Sequence, residues 1–424
     1  MAGWMRYVRL VAVVASSVSL SACNACGGSD EPLQLTTEES PEGTGEASGS
    51  GFGADAPSEM VTLRWSVGEV STLEAVGECH AWDISETGTV LRVTSDGRVL
   101  VNTVSATAPS GFLSLHEDAI GADARTINGL VSSPYVFALH TSAPPSPDEQ
   151  PSGGILSEWR FGGEVSFSQS TLAGTPVDIV RIAEQAWTLS RTREGSVVEV
   201  FSHGATAGST PDYRFDMGGG GVGFFASPDD RWLAVPLFAA RAVALFSTDE
   251  PRLVRIIPVE MRPVAVAFHG DTILSVVSGT DDQARVIQLE HGSDGQVITL
   301  PGPVSGWVPD ADGVIAISPA TGSVWRLEGA YLTLIATHDL WPGYRGQMRP
   351  LPLDAVRIGD ALAVLDVSPG AFGVWWLDAN DLSYRAHTVL DAAPVQISEF
   401  EGDALVLTST DCSVRRLRLS AVGG

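Results

Sequence analysis

Short apolar segments dominate the chain from Val61 onward. Segments rich in Val, Leu, Ile and Thr, some alternating with polar residues and some fully apolar, are separated by turn residues about every 8 to 12 positions. A helical period is nowhere sustained over a window of roughly 11 residues. The pattern therefore predicts an all-β fold.

The same unit, a turn followed by an apolar strand, recurs along this region. Its clearest copies are GDALAVL at 359–365 and GDALVL at 402–407, each with an apolar strand before it and another after it. The copies follow one another at intervals of roughly 40 to 51 residues, and a four-strand repeat of about 40–45 residues is typical of β-propeller blades. The second strands of these units are predicted to begin near Val90, Tyr135, Ala186, Trp232, Thr272, Val314, Ala361 and Ala404.

The repeats resemble blades of the broad WD-repeat and quinoprotein-like propellers over essentially all of residues 61–424. Subfamily signatures are missing: there is no Gly-His…Trp-Asp pattern, and TGSVW at 321–325 is one residue shorter than the quinoprotein TG-x-x-x-W motif. The resemblance implies an eight-bladed propeller, or seven blades if one unit is misassigned. The strand VTLRWSV at 61–67 has no unit of its own and is predicted to complete the last blade, which would close the ring and protect two sheet edges.

The N-terminal region has a different character. Two arginines precede an apolar stretch at 10–20 that is too short to span a bilayer, and LSAC follows at 20–23. This order predicts a secretory signal, and LSAC resembles the lipobox of bacterial lipoproteins. The resemblance implies removal of residues 1–22, lipidation of Cys23 and acylation of the new N-terminus. An ordinary signal peptide cut elsewhere, or a buried helix, is the alternative.

Residues 23–60 are predicted to form a disordered tether, because their Gly, Ser, Glu and Pro cannot bury enough apolar surface to offset ordering. The whole chain has 51 acidic and 25 basic residues, a net charge of −26. This balance opposes nucleic-acid binding and docking through a polybasic patch. The lipid at Cys23 is therefore the predicted membrane contact. Asn24 follows it, which by the sorting rule of some Gram-negative lipoproteins indicates the outer membrane.

Four cysteines are present, at positions 23, 26, 79 and 412. With Cys23 lipidated, an odd number remains, and Cys26 is the predicted spare because it lies close to the anchor. Cys79 precedes the innermost strand of the first unit, and Cys412 lies in the second turn of the last unit. If the ring closes, these two positions share one face of neighbouring blades. A disulfide between Cys79 and Cys412 is predicted.

Catalytic signatures are weak. Propeller hydrolases place carboxylates, Asn and His around a central metal, and the predicted inner strands offer only Asp178, His269, Asp354 and Glu399 as polar candidates. No catalytic residue, metal site or cofactor is predicted from so few groups. A propeller enzyme, either a metal-dependent hydrolase or a quinoprotein-like oxidoreductase, remains the alternative function, and convergence of these four residues would favour it.

A long turn-rich connection at 340–350 combines aromatic and basic residues, which are types enriched at protein interfaces. It is predicted to share a face with Cys79, as is the insertion APPSPDEQPSG at 143–153. The predicted partner-binding residues are Trp341, Tyr344, Arg345 and Arg349, unless the loop folds onto its own blade. Anchor and ring together resemble the eight-bladed propeller lipoproteins that serve as assembly scaffolds in bacterial outer membranes. A protein-binding scaffold is therefore the leading hypothesis, and a purely structural surface protein is a further one.

Overall fold

A computed structural model describes residues 64–422 of the chain. The ranges inside it that are not described are 74–78, 86–87, 95–98, 104–112, 116–124, 133–134, 142–152, 161–165, 203–209, 270–272, 279–281, 289–295, 305, 311–312, 330–331, 341–350, 369–371 and 409–410. No helix suited to crossing a bilayer occurs in the described residues.

In the described residues, thirty-two strands form eight antiparallel sheets of four strands each, which are the blades. Strand β1 is Arg64–Leu73. Blades 1 to 4 contain β2 (Cys79–Ile84), β3 (Thr89–Thr94), β4 (Val99–Thr103) and β5 (Leu113–Leu115); β6 (Arg125–Ser132), β7 (Tyr135–Thr141), β8 (Gly154–Arg160) and β9 (Ser166–Leu172); β10 (Thr175–Ile182), β11 (Gln185–Arg191), β12 (Ser196–Ser202) and β13 (Tyr213–Met217); β14 (Phe225–Ala226), β15 (Trp232–Leu237), β16 (Ala242–Ser247) and β17 (Arg252–Pro258).

Blades 5 to 8 continue the same order. They contain β18 (Pro263–His269), β19 (Ile273–Ser278), β20 (Gln283–Gln288) and β21 (Gln296–Thr299); β22 (Gly306–Asp310), β23 (Gly313–Ser318), β24 (Ser323–Glu328) and β25 (Thr333–Asp339); β26 (Pro352–Ile358), β27 (Ala361–Asp366), β28 (Gly373–Asp378) and β29 (Tyr384–Val389); β30 (Pro394–Phe400), β31 (Asp403–Thr408) and β32 (Val414–Val422). Every second strand begins within one residue of its predicted position. The eight-bladed propeller is thus confirmed, and the seven-bladed alternative is wrong.

Blade 8 is assembled from both ends of the propeller. Strand β1 pairs with β32 antiparallel from Arg64↔Val422 to Leu73↔Val414, so the sheet order is β1-β32-β31-β30. The described part of the closing strand, Arg64–Leu73, overlaps the predicted 61–67 and extends beyond it towards blade 1. This pairing gives the outer edge of β32 a partner.

The core lies between neighbouring blades. The second strands are largely buried on both faces, as in β27, where all six residues are buried. One buried cluster joins blades 4, 5 and 6 through Val243, Val286 and Trp325, and another joins blades 6 and 7. Sheets covered on both faces read as continuous apolar runs, which explains why alternation is weak in these strands.

Blade 4 departs from the pattern. The sequence predicts an innermost strand at 222–227, but β14 contains only Phe225–Ala226, preceded by an isolated bridge between Gly221 and Leu237. The glycine-rich run 218–223 forms the connection from blade 3. At Gly219 the backbone φ is +87°, and a Cβ there would lie 2.6 Å from the Cβ of Ala240. This close approach requires glycine, and the run does not open a helix.

Candidate functional site

The strand order defines two faces of the ring. Adjacent strands are antiparallel, so the connections between blades emerge at the same end as those between second and third strands. Cys79 begins β2, and Cys412 lies between β31 and β32, so both are at this end. We call it the cysteine face and the other end the opposite face. The connections at 142–153 and 340–351 also belong to the cysteine face by this order.

The two cysteines meet at the junction of blades 8 and 1. Their Cα atoms are 5.2 Å apart, a separation that suits a disulfide. Arg92 is fully buried beside them and donates hydrogen bonds to the Cys412 carbonyl (2.8 Å) and to Oδ1 of Asn102 (2.7 Å). Burial lowers the pKa of Arg92 to about 10, while the charge of Asp411 opposes the shift. Arg92 thus links the second strand of blade 1 to the last turn of blade 8.

Both ends of the 341–350 loop are held firmly. Leu340 is fully buried, and its N–H donates to the Gly322 carbonyl at 3.1 Å. On the other side, the Leu351 N–H donates to Oδ1 of Asp366 (3.1 Å) and to Oγ of Ser368 (2.9 Å). The Leu351 carbonyl accepts a hydrogen bond from Val367 at 3.1 Å. The loop therefore leaves and re-enters the ring at fixed points.

Asp366 also organises the blade beneath this loop. Its Oδ1 accepts from the Ser368 hydroxyl (2.6 Å), and its Oδ2 accepts from Nε1 of Trp375 (3.0 Å). The His387 ring lies over Trp375, with ring centroids 4.2 Å apart. Burial lowers the pKa of His387, and the charge of Asp366 opposes this shift. The base of the loop is a packed and hydrogen-bonded platform.

Polar residues of the innermost strands tie neighbouring blades together. Asp178 of blade 3 accepts from Nδ2 of Asn128 in blade 2 (3.0 Å) and from the Phe224 N–H at the entry to blade 4 (2.9 Å). In the same way, Asp83 of blade 1 accepts from the Val131 N–H of blade 2 at 2.8 Å. These carboxylates bind the backbone of the adjacent blade, which is a structural role.

Asp354 repeats this arrangement in blade 7. Its Oδ1 accepts from the N–H of Ala355 (2.7 Å), and its Oδ2 accepts from the N–H of Ile397 in blade 8 (3.5 Å). Burial raises the pKa of Asp354 to about 8, although both hydrogen bonds oppose the shift. Asp354 and Asp178 belong to blades four positions apart, on opposite sides of an eight-membered ring.

Four residues were considered as an enzymatic centre: Asp178, His269, Asp354 and Glu399. The three whose side chains are described do not contact one another in any hydrogen bond of the structure. Glu399 accepts a hydrogen bond from the N–H of Gly402 at the edge of blade 8, and only the backbone of His269 is described. Among the described side chains, no group of three or more His, Cys, Asp or Glu residues is arranged to hold a metal ion. Asp178 and Asp354 instead accept hydrogen bonds from the backbone of the next blade.

The sequence analysis did not predict the backbone irregularity that positions Asp178 and Asp354. Six innermost strands have a β-bulge near their start, where the pairing skips one residue. A β-bulge changes the direction in which the following side chain points. Four of these bulges begin at a proline. The recurring signal Pro-x-(Asp, Ala or Gln) was visible at 176–178, 263–265, 352–354 and 394–396.

The opposite face carries arginine–carboxylate networks. Asp403 is buried and accepts from Arg416 (2.5 Å) and Arg418 (2.6 Å), while exposed Glu401 pairs with Arg416 at 3.0 Å. Burial works to raise the pKa of Asp403, but the two arginines outweigh it and lower the pKa. Arg416 and Arg418 therefore form ion pairs with residues of their own blade.

Five of the predicted site residues lie outside the described residues. These are the lipidation site and the four partner-binding residues: Cys23, Trp341, Tyr344, Arg345 and Arg349. Lipidation and partner binding at these positions therefore stay predictions. The structure describes the base from which the 341–350 loop emerges.

Comparisons with solved structures support the propeller fold. Sqt1 of Saccharomyces cerevisiae is similar over 85% of this chain and 100% of its own, with a TM-score of 0.62 and 11% sequence identity. BamB from Moraxella catarrhalis is similar over 83% of this chain and 100% of its own, with a TM-score of 0.57 and 14% identity. No protein-family profile matches the chain, and no curated protein matches it in sequence. At such low identity, the likeness shows the fold alone.

Proposed function

We propose that the chain is a lipid-anchored β-propeller of the bacterial cell envelope that binds a protein partner on its cysteine face and acts as a scaffold. Cys23 carries the lipid in the outer membrane, and residues 23–60 tether the ring. The observation that carries the binding part of this proposal is the fixed base of the 341–350 loop, with Leu340 buried and the Leu351 N–H bonded to Asp366 and Ser368.

A loop with a fixed base loses less conformational freedom when a partner binds, so more of its contact energy contributes to affinity. Trp, Tyr and Arg are the residue types that most often dominate binding energy at protein interfaces. Trp341 and Tyr344 would supply apolar anchors, and Arg345 and Arg349 would supply positive charge on an acidic chain. The partner surface that fits this loop carries an acidic patch beside an apolar pocket.

The inter-blade hydrogen bonds also favour a scaffold over an enzyme. Asp178 and Asp354 are committed to the backbone of adjacent blades, so they hold the ring in shape. A rigid ring with variable loops at one end is a common way to present a binding surface. None of the described residues gives a specific indication of the enzymatic alternative.

The binding proposal is tested by replacing Trp341, Tyr344, Arg345 and Arg349 with alanine. Envelope proteins captured by the wild-type chain and by this variant are compared by quantitative mass spectrometry. We expect at least one protein to be lost from the variant, with its affinity lowered by at least about 2 kcal/mol, roughly thirtyfold, in a direct binding assay. The melting temperature should stay unchanged if the four side chains are exposed.

A matched control replaces two tyrosines and two arginines on the opposite face of the ring, at the starts of outermost strands or in the turn between first and second strands. Tyr213, Arg231, Arg252 and Tyr384 are all exposed there. Replacing these four with alanine should leave the captured proteins unchanged. Equal capture by the loop variant and the wild type would overturn the assignment of the binding surface.

The anchor is tested separately. Cys23→Ser should move the protein from the membrane fraction to the soluble fraction, because lipid is the only proposed source of membrane affinity in this acidic chain. Cys26→Ser is the matched control and should stay with the membrane. Retention of the Cys23→Ser variant in the membrane fraction, in high salt and without detergent, would contradict the anchor.

A further inference from the structure

The connection from blade 3 to blade 4 contains a run of four glycines, 218–221, on the cysteine face. Hydrogen bonds hold this run from both blades. The hydroxyl of Ser196 in blade 3 donates to the Gly219 carbonyl at 3.1 Å. The N–H of Phe238 in blade 4 donates to the Gly220 carbonyl at 2.9 Å. The run is therefore fixed between the turns of two neighbouring blades.

Packing explains only part of this run. Gly219 must be glycine because of its φ and its contact with Ala240. At Gly218 and Gly220, by contrast, φ is outside the left-handed region, and a Cβ would have no atom of the described residues within 4 Å. Among the same residues, none accepts a hydrogen bond from the N–H of Gly218, Gly219 or Gly220. Glycine where packing does not require it often marks a close approach by a ligand or another backbone.

Two exposed arginines of blade 4 lie beside the run. Arg241 follows Ala240, which contacts Gly219. The Arg262 guanidinium lies over the Phe238 ring, 5.5 Å from its centroid. Stacking on an aromatic ring orients a guanidinium, and its edges can still donate hydrogen bonds.

The backbone of Arg241 is in an unfavourable conformation. Its φ is +51°, whereas the equivalent turn residue of blade 6 is Gly322, with φ +68°. Glycine adopts this conformation at less cost than arginine does. A residue kept in such a conformation points to a role for its side chain beyond folding.

Arg191 is on the blade 3 side of the run. It pairs directly with Ser196 in the β11–β12 ladder, so the two side chains lie on the same side of the sheet, where Ser196 contacts the run. Residues 166–202 and 210–269 are described without a gap, so the turns on both sides of the run are complete.

The three arginines reverse the charge locally on a chain of net charge −26. Within the described part of the chain they are exposed and form no ion pair. The carboxylates on the same turns are already matched in charge. Glu260 pairs with Arg285 at 3.0 Å, and Glu194 has Arg193 as its neighbour in sequence.

We propose that 218–221, with Arg191, Arg241 and Arg262, forms a docking surface for an extended acidic segment of the protein partner. We call this surface the glycine–arginine patch. The inference rests on the proposed function, because the partner is the one that binds the cysteine face. Arginines donate charge-assisted hydrogen bonds to carboxylates of the segment, and the backbone of the segment lies against the glycines.

The arrangement of the arginines favours this occupant over others. They come from two blades on either side of the run, which matches several carboxylates along a chain better than one phosphate group. The chain has an acidic segment of its own, because 30–59 carries eight acidic and no basic residues. That segment precedes Arg64 on the opposite face of blade 8, across the ring from blade 4. A segment of the partner reaches the patch directly.

The probe is a library of random heptapeptides displayed on phage. Peptides are selected on the full-length chain and counter-selected on the Arg191→Gln with Arg241→Gln variant, so those retained depend on the patch. We expect them to be rich in Asp and Glu and to bind this variant about tenfold more weakly than the wild type in fluorescence polarisation.

The matched control is Arg252→Gln with Arg255→Gln. It removes the same charge from the outermost strand of blade 4, where neither arginine forms an ion pair within the described residues. The retained peptides should bind this control as they bind the wild type. Equal weakening in both variants would overturn the proposal, because binding would then follow the overall charge.

Two further variants separate binding from folding. Arg241→Gly should weaken binding while the melting temperature stays the same or rises, because glycine suits this φ. Gly220→Ala should keep the melting temperature and lose most of the binding, because its methyl group separates the peptide from the run. Gly306→Ala in blade 6 has room for a methyl group, 3.9 Å from Cδ1 of Ile317, and should change neither.

The patch and the 341–350 loop are tested independently. The variant with Trp341, Tyr344, Arg345 and Arg349 replaced by alanine should bind the retained peptides as the wild type does. If no peptide survives counter-selection, the patch proposal fails, whereas the loop proposal still depends on its own capture experiment.

Two other results would replace the occupant and so overturn the proposal. One is inorganic phosphate that binds the wild type more tightly than any retained peptide in calorimetry, with loss of binding in the Arg191→Gln with Arg241→Gln variant. The other is protection of 218–221 from hydrogen exchange without peptide, lost when the acidic residues of 30–59 are replaced by Gln or Asn. The chain's own segment would then be the occupant.

Discussion

The junction between blades 8 and 1 and the junctions on either side of blade 3 are built differently. Around blade 3, successive blades are joined by hydrogen bonds of a buried carboxylate, with Asn128 and the Phe224 N–H as donors to Asp178. At the junction of blades 8 and 1, Cys79 and Cys412 lie close together and Arg92 donates to the Cys412 carbonyl, while β1, which leads into blade 1, pairs with β32 inside blade 8. The contacts at the second junction link residues that are far apart in sequence.

Chain connectivity explains the difference. Blade 2 leads into blade 3 through only Ala173 and Gly174 between β9 and β10, so their relative position is already limited. At the closing junction, the cysteines are 333 residues apart and Arg92 is 320 residues from Cys412. Holding distant segments together costs loop-closure entropy. Contacts at the closing junction therefore work against a larger entropic cost.

The largest effect is expected from the closing junction. We propose that Cys79 and Cys412 form a disulfide, and we expect Cys79→Ser with Cys412→Ser to lower the free energy of unfolding by up to about 5 kcal/mol, because the bond closes a very long loop. Urea denaturation measures this. Alkylation of both thiols in the unreduced, denatured wild type would show that the bond is absent.

The blade 3 junction should be the next most sensitive. Asp178→Ala removes the acceptor for Asn128 and for the N–H groups of Ile179 and Phe224, and should cost about 3 kcal/mol in urea denaturation. Asp178→Asn keeps one oxygen and is expected to cost less than half as much. Equal losses in the two variants would mean that the oxygen kept in Asp178→Asn does not replace the carboxylate, and no loss in Asp178→Ala would mean that the hydrogen bonds to Asp178 do not stabilise the ring.

The junction of blades 7 and 8 should respond to pH. The pKa of Asp354 is raised to about 8, so the folded chain keeps a proton that the unfolded chain releases above about pH 4. Stability should therefore fall as pH rises from about 4 to 8, by about 1.4 kcal/mol per pH unit from this group. Asp354→Asn should remove that part of the slope between about pH 5 and pH 7 in urea denaturation. Identical slopes would contradict the shift.

A smaller effect is expected from a glycine at the closing junction. Gly88 has φ +69°, and a Cβ there would lie 2.5 Å from Cζ of Phe400 in blade 8. Gly402 has φ +80° and open space around its Cβ position, so Gly402→Ala measures the backbone cost alone. Gly88→Ala should destabilise by about 1 to 2 kcal/mol more than Gly402→Ala. Equal losses would mean that Phe400 can move away freely.

The fold was predictable because blades repeat a local signal. Turn residues such as Gly359 and Gly402 precede mostly apolar second strands, and both faces of these strands are buried, so an apolar run follows the turn. The short innermost strand of blade 4 was not predictable in the same way. GFFAS is apolar enough for a longer strand, but the Phe224 N–H bonds Asp178 instead of a strand partner.

The candidate site was predictable only in part. Sequence order alone placed Cys79, Cys412 and the 340–350 loop on one face, because strand direction alternates strictly. The roles of Asp178 and Asp354 were not evident, since a lone carboxylate in an inner strand has the same sequence pattern whether it binds a metal or a backbone N–H. Their partners, Phe224 and Ile397, are 46 and 43 residues away.

The position of β1 has a mechanical consequence. A force applied from the N-terminal side of the ring, as through an anchor at Cys23, acts first on the Arg64↔Val422 end of the β1–β32 ladder. Because that end opens first, the hydrogen bonds between β1 and β32 would break one after another, and a low force would suffice. A disulfide at Cys79 would then stop the peeling just past β1. Seven blades would keep their shape while β1 separates from β32 in blade 8 and pairs with it again.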